Sequence, residues 1–158
     1  MDEKGNLTGY DVEILKEVEK RNPDIHFEYK MMPTSAAFVA IESGQADIVA
    51  NQVGYTDERA AKTIYTKEVN NYTARKLAVR NDRYEVSITD AVKTLGLPIK
   101  AVGPVISSVP TYFALKKDDD HQKLADTIDK TLKDMKADGT LKKLSEQFLS
   151  KDYTVPQQ

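Results

Sequence analysis

Apolar residues fall four apart at Tyr10, Ile14 and Val18, and Leu15 joins their stripe, so the spacing predicts a helix from Thr8 to Asn22. Pro23 stops it, because the residue before a proline avoids helical dihedral angles. The period then changes to two. Ile25, Phe27, Tyr29 and Met31 alternate with His26, Glu28 and Lys30, which predicts a strand with one buried face. Pro33-Thr34-Ser35 opens a second helix that points Phe38 and Ile41 inward and ends at Gly44. Asp47-Ile48-Val49-Ala50 reads as a short apolar strand suited to the middle of a parallel sheet. Helix, strand, helix, strand is the order of βα crossovers, and it predicts an α/β fold.

Thr56 in Tyr55-Thr56-Asp57-Glu58-Arg59 suits the cap of a third helix, with two acids at the positive end of its dipole. Strands are expected at Tyr72–Arg80, Tyr84–Thr89, Ile99–Val102 and Pro110–Lys116. The last third is helical. Leu124, Ile128, Leu132 and Met135 make one stripe from about Asp118 to Ala137. Gly139 breaks that helix and Thr140 caps the next, which turns Leu141, Leu144 and Phe148 to the core. The charged run Lys116–Asp120 reads as a solvated turn, and the tail Val155–Gln158 as frayed.

Composition narrows the function. The 158 residues are 40% hydrophobic and 30% charged, a soluble globular profile with one domain as the prior. The net charge of −2 is mixed along the chain and argues against nucleic acid, whose binders concentrate positive charge. Cysteine is absent, which excludes thiolate metal sites, thiol nucleophiles and disulfides. His26 and His121 read as solvated, and no catalytic spacing, phosphate-binding loop, metal cluster or cofactor motif is present, so an enzyme is not expected. Phe27, Tyr29 and Phe38 read as core. No apolar run reaches the roughly 20 residues needed to span a bilayer. Met1-Asp2-Glu3-Lys4 has no apolar segment of a signal peptide, so an exported protein would have lost its leader ahead of Met1.

Three blocks carry a family resemblance: Gly5-Asn6-Leu7-Thr8-Gly9-Tyr10-Asp11-Val12-Glu13-Ile14, Ser43–Gln52 running into Thr56-Asp57-Glu58-Arg59, and Ala137–Leu141 through Leu144–Phe148. In order and composition they resemble the extracellular solute-binding proteins that serve ABC importers of polar amino acids. The resemblance implies a type II periplasmic-binding fold, two α/β lobes joined by crossing strands with the ligand between them. Residues 1–80 would form the first lobe, 81–108 a remnant of the second, and 109–158 the return strand and C-terminal helices on the first. Two parts of the family pattern have no counterpart: a strand ahead of Gly5, and most of the second lobe between Arg83 and Tyr84. The first lobe is thus expected to be nearly complete and the second largely missing. Asn81-Asp82-Arg83-Tyr84 reads as a junction of distant pieces, in an engineered single lobe or a sequence with intervening residues left out.

An amino-acid ligand brings a carboxylate and an ammonium, and burying either charge unpaired costs several kcal/mol. Arg59 suits the carboxylate, because a guanidinium can hold both oxygens at once, and its place in the motif resembles the family's carboxylate-binding arginine. A surface pair with Asp57 or Glu58 is its competing role. Asp90 suits the ammonium by resemblance, with an N-cap ahead of Ala91 as the alternative. Asn51, Gln52, Gly54 and Thr56 would line the ligand, Gly54 standing where the family carries serine or threonine. Asn51-Gln52 resembles the members that take cystine. The resemblance implies a monomer, periplasmic or extracellular, that serves a transmembrane permease; a lipid anchor is left open. A dehydratase of small carboxylic acids on the same fold, and an isolated lobe that binds weakly or not at all, are the other readings.

Overall fold

The computed structural model describes residues 6–80 and 99–157. Helix α1 spans Tyr10–Arg21 and buries the predicted stripe, with Ile14 and Val18 fully enclosed. Its last carbonyls are closed by Asn22, whose side-chain amide donates to the Val18 carbonyl at 2.9 Å. Glu17 and Arg21 pair across one turn at 2.8 Å.

The strand expected over 25–31 is absent. Ile25 and Phe27 do turn inward and His26 and Glu28 outward, but no neighbouring strand pairs with the segment among the described residues. The Phe27 N–H donates to the Glu19 carboxylate at 2.7 Å instead of to a ladder. Alternation sets which side chains can face the core; it does not supply a hydrogen-bonding partner. Phe27 packs on the core as expected, while Tyr29 and Met31 lie exposed.

Helix α2 (Thr34–Glu42) ends near Gly44, whose φ of 72° is the left-handed conformation that glycine adopts without a steric penalty. Strand β1 (Ile48–Gly54), helix α3 (Asp57–Lys62) and strand β2 (Thr63–Tyr65) follow. Strand β3 spans Asn71–Arg80, and β4 spans Ile99–Lys116. The two strands expected at 99–102 and 110–116 are thus parts of one. Pro110 stays in register opposite Tyr72, whereas Pro104 falls in an irregular stretch, where two steps along β3, from Arg75 to Leu77, face five along β4, from Ser107 to Val102. A bulge tolerates a residue without an N–H.

β4 pairs antiparallel with β1, β2 and β3, so Ile48–Ala50 does not lie inside a parallel sheet. β1 and β2 run in the same direction and are joined through α3, as a crossover requires, but β4 lies between them. One face of the sheet, with Phe113 and Leu115, packs on α1 and on the C-terminal helices α4 (Asp119–Ala137) and α5 (Thr140–Leu149). Leu132, Ile128 and Met135 of α4 are fully buried there, and each side chain contributes roughly 1.5–3 kcal/mol of apolar burial. Alternate residues Val49, Val53 and Ala114 face α2 on the other side.

Two end-structures differ from expectation. Thr140 does not cap α5: it is the first helical residue, its N–H is taken by the Asp138 carboxylate at 2.9 Å, and its hydroxyl accepts from Arg21. Nor is the tail frayed as far as Gln157. Tyr153 accepts a hydrogen bond from the Tyr72 N–H at 2.7 Å, and the Gln157 N–H donates to the Ser108 hydroxyl at 2.9 Å, which ties the C-terminus to β3 and β4.

Candidate functional site

Strand β1 leaves its ladder before it ends. Four steps along β1, from Val49 to Val53, face only two along β4, from Ala114 to Tyr112. The surplus residues include Gln52, which takes φ 45°, an uncommon conformation for a residue with a side chain. That conformation costs an ordinary residue roughly 1–2 kcal/mol. The Gln52 N–H donates to the Asp11 carboxylate at 2.7 Å. A hydrogen bond to a charged group contributes roughly 1.5–3 kcal/mol, enough to offset the strain. Beyond the bulge the chain turns at Tyr55 and enters α3, where the Thr56 hydroxyl accepts from the Arg59 N–H at 3.3 Å, the cap expected of it.

This short helix sets Arg59 half-buried between α2 and α3. Its guanidinium carbon lies 4.6 Å from the centre of the Phe38 ring, and Nη1 reaches the Gly54 carbonyl at 3.5 Å. That carbonyl also accepts from the Tyr65 hydroxyl at 3.3 Å. Burial pushes the Tyr65 hydroxyl above its ordinary pKa, and the Arg59 cation pulls against it. Neither Asp57 nor Glu58 pairs with Arg59, and among the described residues no carboxylate does. Ser35, Phe38, Glu42, Glu58, Lys62 and Thr63 join Arg59 around an open hollow of about 250 Å³. Lys62 is held by Glu42 at 3.1 Å, so among the described residues lining the hollow Arg59 is the cation without a carboxylate partner. Phe38, expected only as core, is the platform on which the arginine rests.

Of the expected ligand residues among those described, Arg59 alone lines this hollow. Gly54 and Thr56 are bonded to Arg59, whereas the Asn51 side chain donates to the Thr34 hydroxyl at 2.5 Å. Gln52 lines a second hollow of about 440 Å³ with Asn71, Tyr72, Thr73, Phe148 and Tyr153. Asp90 lies outside the described residues.

His121 is not solvated as expected. It is largely buried at the start of α4, with Nδ1 2.5 Å from Asp118 and Nε2 3.0 Å from Asp47, and it ties that helix to the turn before β1. His26 is exposed beside Glu19. Asp11 was not foreseen as a site residue. Its carboxylate is enclosed, and burial pushes its pKa up to about 6 against the pull of the Gln52 N–H. The available signal was an acid inside the apolar stripe, directly after Tyr10.

The profile of bacterial extracellular solute-binding proteins, family 3, matches residues 1–151. The chain belongs to that family. It is similar to the L-cystine-binding protein TcyK of Bacillus subtilis (strain 168), with 31% identity covering 99% of this chain and 81% of the relative. That match runs over 220 positions against 158 residues here, so it passes over positions of the relative that have no counterpart in this chain. The crystal structure of the probable amino-acid ABC transporter extracellular-binding protein ytmK from B. subtilis is 29% identical, covers 97% of this chain and 92% of that one, and superposes with a TM-score of 0.83. The unliganded, open L-cystine solute receptor of Neisseria gonorrhoeae shares the fold at 24% identity and a TM-score of 0.73, over 98% of this chain and 86% of that one. The fold is therefore the type II periplasmic-binding fold, and this solute-binding protein presents one α/β lobe of it among the described residues. No helix among those residues is long and apolar enough to cross a membrane.

Proposed function

We propose that this chain captures a polar amino acid, with cystine the first candidate, and passes it to the permease of an ABC importer. The observation that carries the reading is Arg59: a guanidinium held by an aromatic ring and a carbonyl, preceded in sequence by two acids yet paired with neither. An arginine so placed keeps its fork of N–H donors for a carboxylate from outside. Gly54 and Thr56, bonded to the same arginine, would meet that carboxylate with a backbone N–H and a hydroxyl. Asn51 and Gln52 would extend the contact along the ligand. Asp90 is assigned the ammonium on sequence grounds alone. The ligand class draws on the relatives, among which TcyK is an L-cystine-binding protein.

The family consists of solute-binding proteins, so we assign the chain no catalytic step and no cofactor. It would act as a monomer in the periplasm or outside the cell.

Titration calorimetry of the full chain with L-cystine, L-glutamine and L-arginine tests this. Arg59→Ala is expected to abolish binding with little change in melting temperature, and Arg59→Lys to retain part of it, because lysine keeps the charge without the fork. Unchanged affinity in Arg59→Ala would sink the assignment.

A further inference from the structure

The half-turn at Gln52 is bonded to more than its own strand. Asp11 Oδ2 takes the Gln52 N–H at 2.7 Å, and Asp11 Oδ1 takes the Asn70 side-chain amide at 3.2 Å. Asn70 is fully buried just ahead of β3. Its Oδ1 accepts from the Thr111 hydroxyl at 2.6 Å, and its backbone carbonyl accepts from the Tyr10 hydroxyl at 2.6 Å. Its N–H donates to the Thr111 carbonyl at 3.0 Å, which joins it to β4. One enclosed carboxylate thus links three places: α1, the strained bulge of β1, and the paired roots of the two longest strands. No lysine, arginine or histidine is bonded to it among the described residues, so its ligands are neutral donors. A carboxylate enclosed in this way would be a poor choice for stability alone, since burying an acid without a cation is costly.

We propose that Asp11 is the positioning residue of the binding site: by holding the Gln52 peptide in its left-handed conformation and fastening it through Asn70 to the roots of β3 and β4, it sets the course of Gln52–Thr56 past Arg59. This rests on the reading of that segment as ligand-binding. The role follows from geometry. A peptide with φ 45° points its N–H away from the β1–β4 ladder, and Asp11 is the acceptor it meets. With that acceptor removed, a glutamine favours negative φ, and the bulge would relax toward a regular strand. Glycine at the same position needs no such restraint.

The test combines a ligand-free and a ligand-bound measurement on the full chain. In ligand-free protein, Asp11→Ala should raise the amide exchange rate of residue 52 at least tenfold relative to the Leu132 amide in α4. In calorimetry with L-cystine, or with whichever of the three amino acids binds the unmodified chain, Asp11→Ala should weaken affinity at least tenfold. The same substitution made on top of Gln52→Gly should weaken it less than threefold, because glycine holds the turn unaided. Asp11→Asn keeps one acceptor oxygen and the side-chain volume, and should retain most of the affinity. Asp11→Ser replaces alanine in the cycle if the alanine variant does not fold. Equal losses in the two backgrounds, or an unchanged exchange rate at residue 52, would overturn the proposal. If no amino acid binds the unmodified chain while the residue-52 amide behaves as described, the ligand reading fails and the positioning of the turn by Asp11 stands.

Discussion

The Arg59 guanidinium rests on the Phe38 ring, 4.6 Å from its centre, and this contact joins α3 to α2 at the mouth of the proposed site. One face of the cation is thereby covered by an aromatic surface, which orients the fork without neutralising its charge. A partly exposed cation–π contact contributes about 0.5–1 kcal/mol. Phe38→Leu keeps most of the apolar volume against Ile41 and Val53 but loses the ring. Its affinity for the amino acid should fall roughly two- to fivefold, the equivalent of that energy. Calorimetry checks this, alongside a melting curve that should move little.

Gly54 offers a gain. A Cβ placed there meets nothing within 4 Å, and its backbone is not in the left-handed region, so a side chain fits. Gly54→Ser adds a hydroxyl that the proposed binding mode would set beside the ligand carboxylate. Stability should stay within about 0.5 kcal/mol. A hydrogen bond to a charged group contributes about 1.5 kcal/mol, so affinity should tighten by up to about tenfold. Weaker binding would place Gly54 outside the ligand's reach.

Local pattern made most of the helical fold legible. The stripes of Tyr10–Val18 and Leu124–Met135 are buried as their spacing implied, because a helix satisfies its own backbone and needs only a face to bury. Strands were harder to read, since their hydrogen bonds depend on residues far along the chain. Ile25–Met31 alternates without a strand partner among the described residues, and the strands expected at 99–102 and 110–116 are one. At the proposed site, the Thr56 cap of the helix that carries Arg59 was legible because the helix start is contiguous in sequence. The bond from Gln52 to Asp11 spans 41 positions and was not legible. The Phe38 stack was hidden for a different reason: an aromatic residue on an inward face reads as core whether or not a cation covers its outer side.

Asp129 illustrates a buried acid with a purely architectural role. Its carboxylate accepts the Lys67 N–H at 2.9 Å and the Glu68 N–H at 2.8 Å, closing the turn between β2 and β3. Asp129→Ala would leave two N–H groups without an acceptor, at about 1–3 kcal/mol each. Urea unfolding should show a loss on the order of 3 kcal/mol. Amino-acid affinity should stay unchanged while the chain remains folded, in contrast with Asp11.

Asp11 should also leave a signature in the dependence of stability on pH. Burial raises its pKa from 3.8 to about 6 in the folded state, so the folded chain holds this proton more tightly than the unfolded chain does. The cost of ionising it is fully present above about pH 6 and is relieved as pH falls toward 4, the reverse of a salt-bridged acid. The groups facing it do not obscure the effect. Tyr10 is its titratable neighbour and is pushed further up by burial and by Asp11 itself, while Gln52 and Asn70 are uncharged. Other carboxylates pull the opposite way on acidification. The Lys136 hydrogen bond holds Glu68 below its usual range, Thr140 holds Asp138 at about 2, and the His121 N–H holds Asp118 lower still. The total stability should therefore fall in acid, and the Asp11 contribution emerges only as a difference. Subtracting the unfolding free energy of Asp11→Asn from that of the unmodified chain removes the shared carboxylates. That difference should move in favour of the unmodified chain between pH 7 and pH 4, by an amount on the order of 3 kcal/mol. A flat difference would mean that Asp11 titrates in the folded chain as it does in the unfolded one.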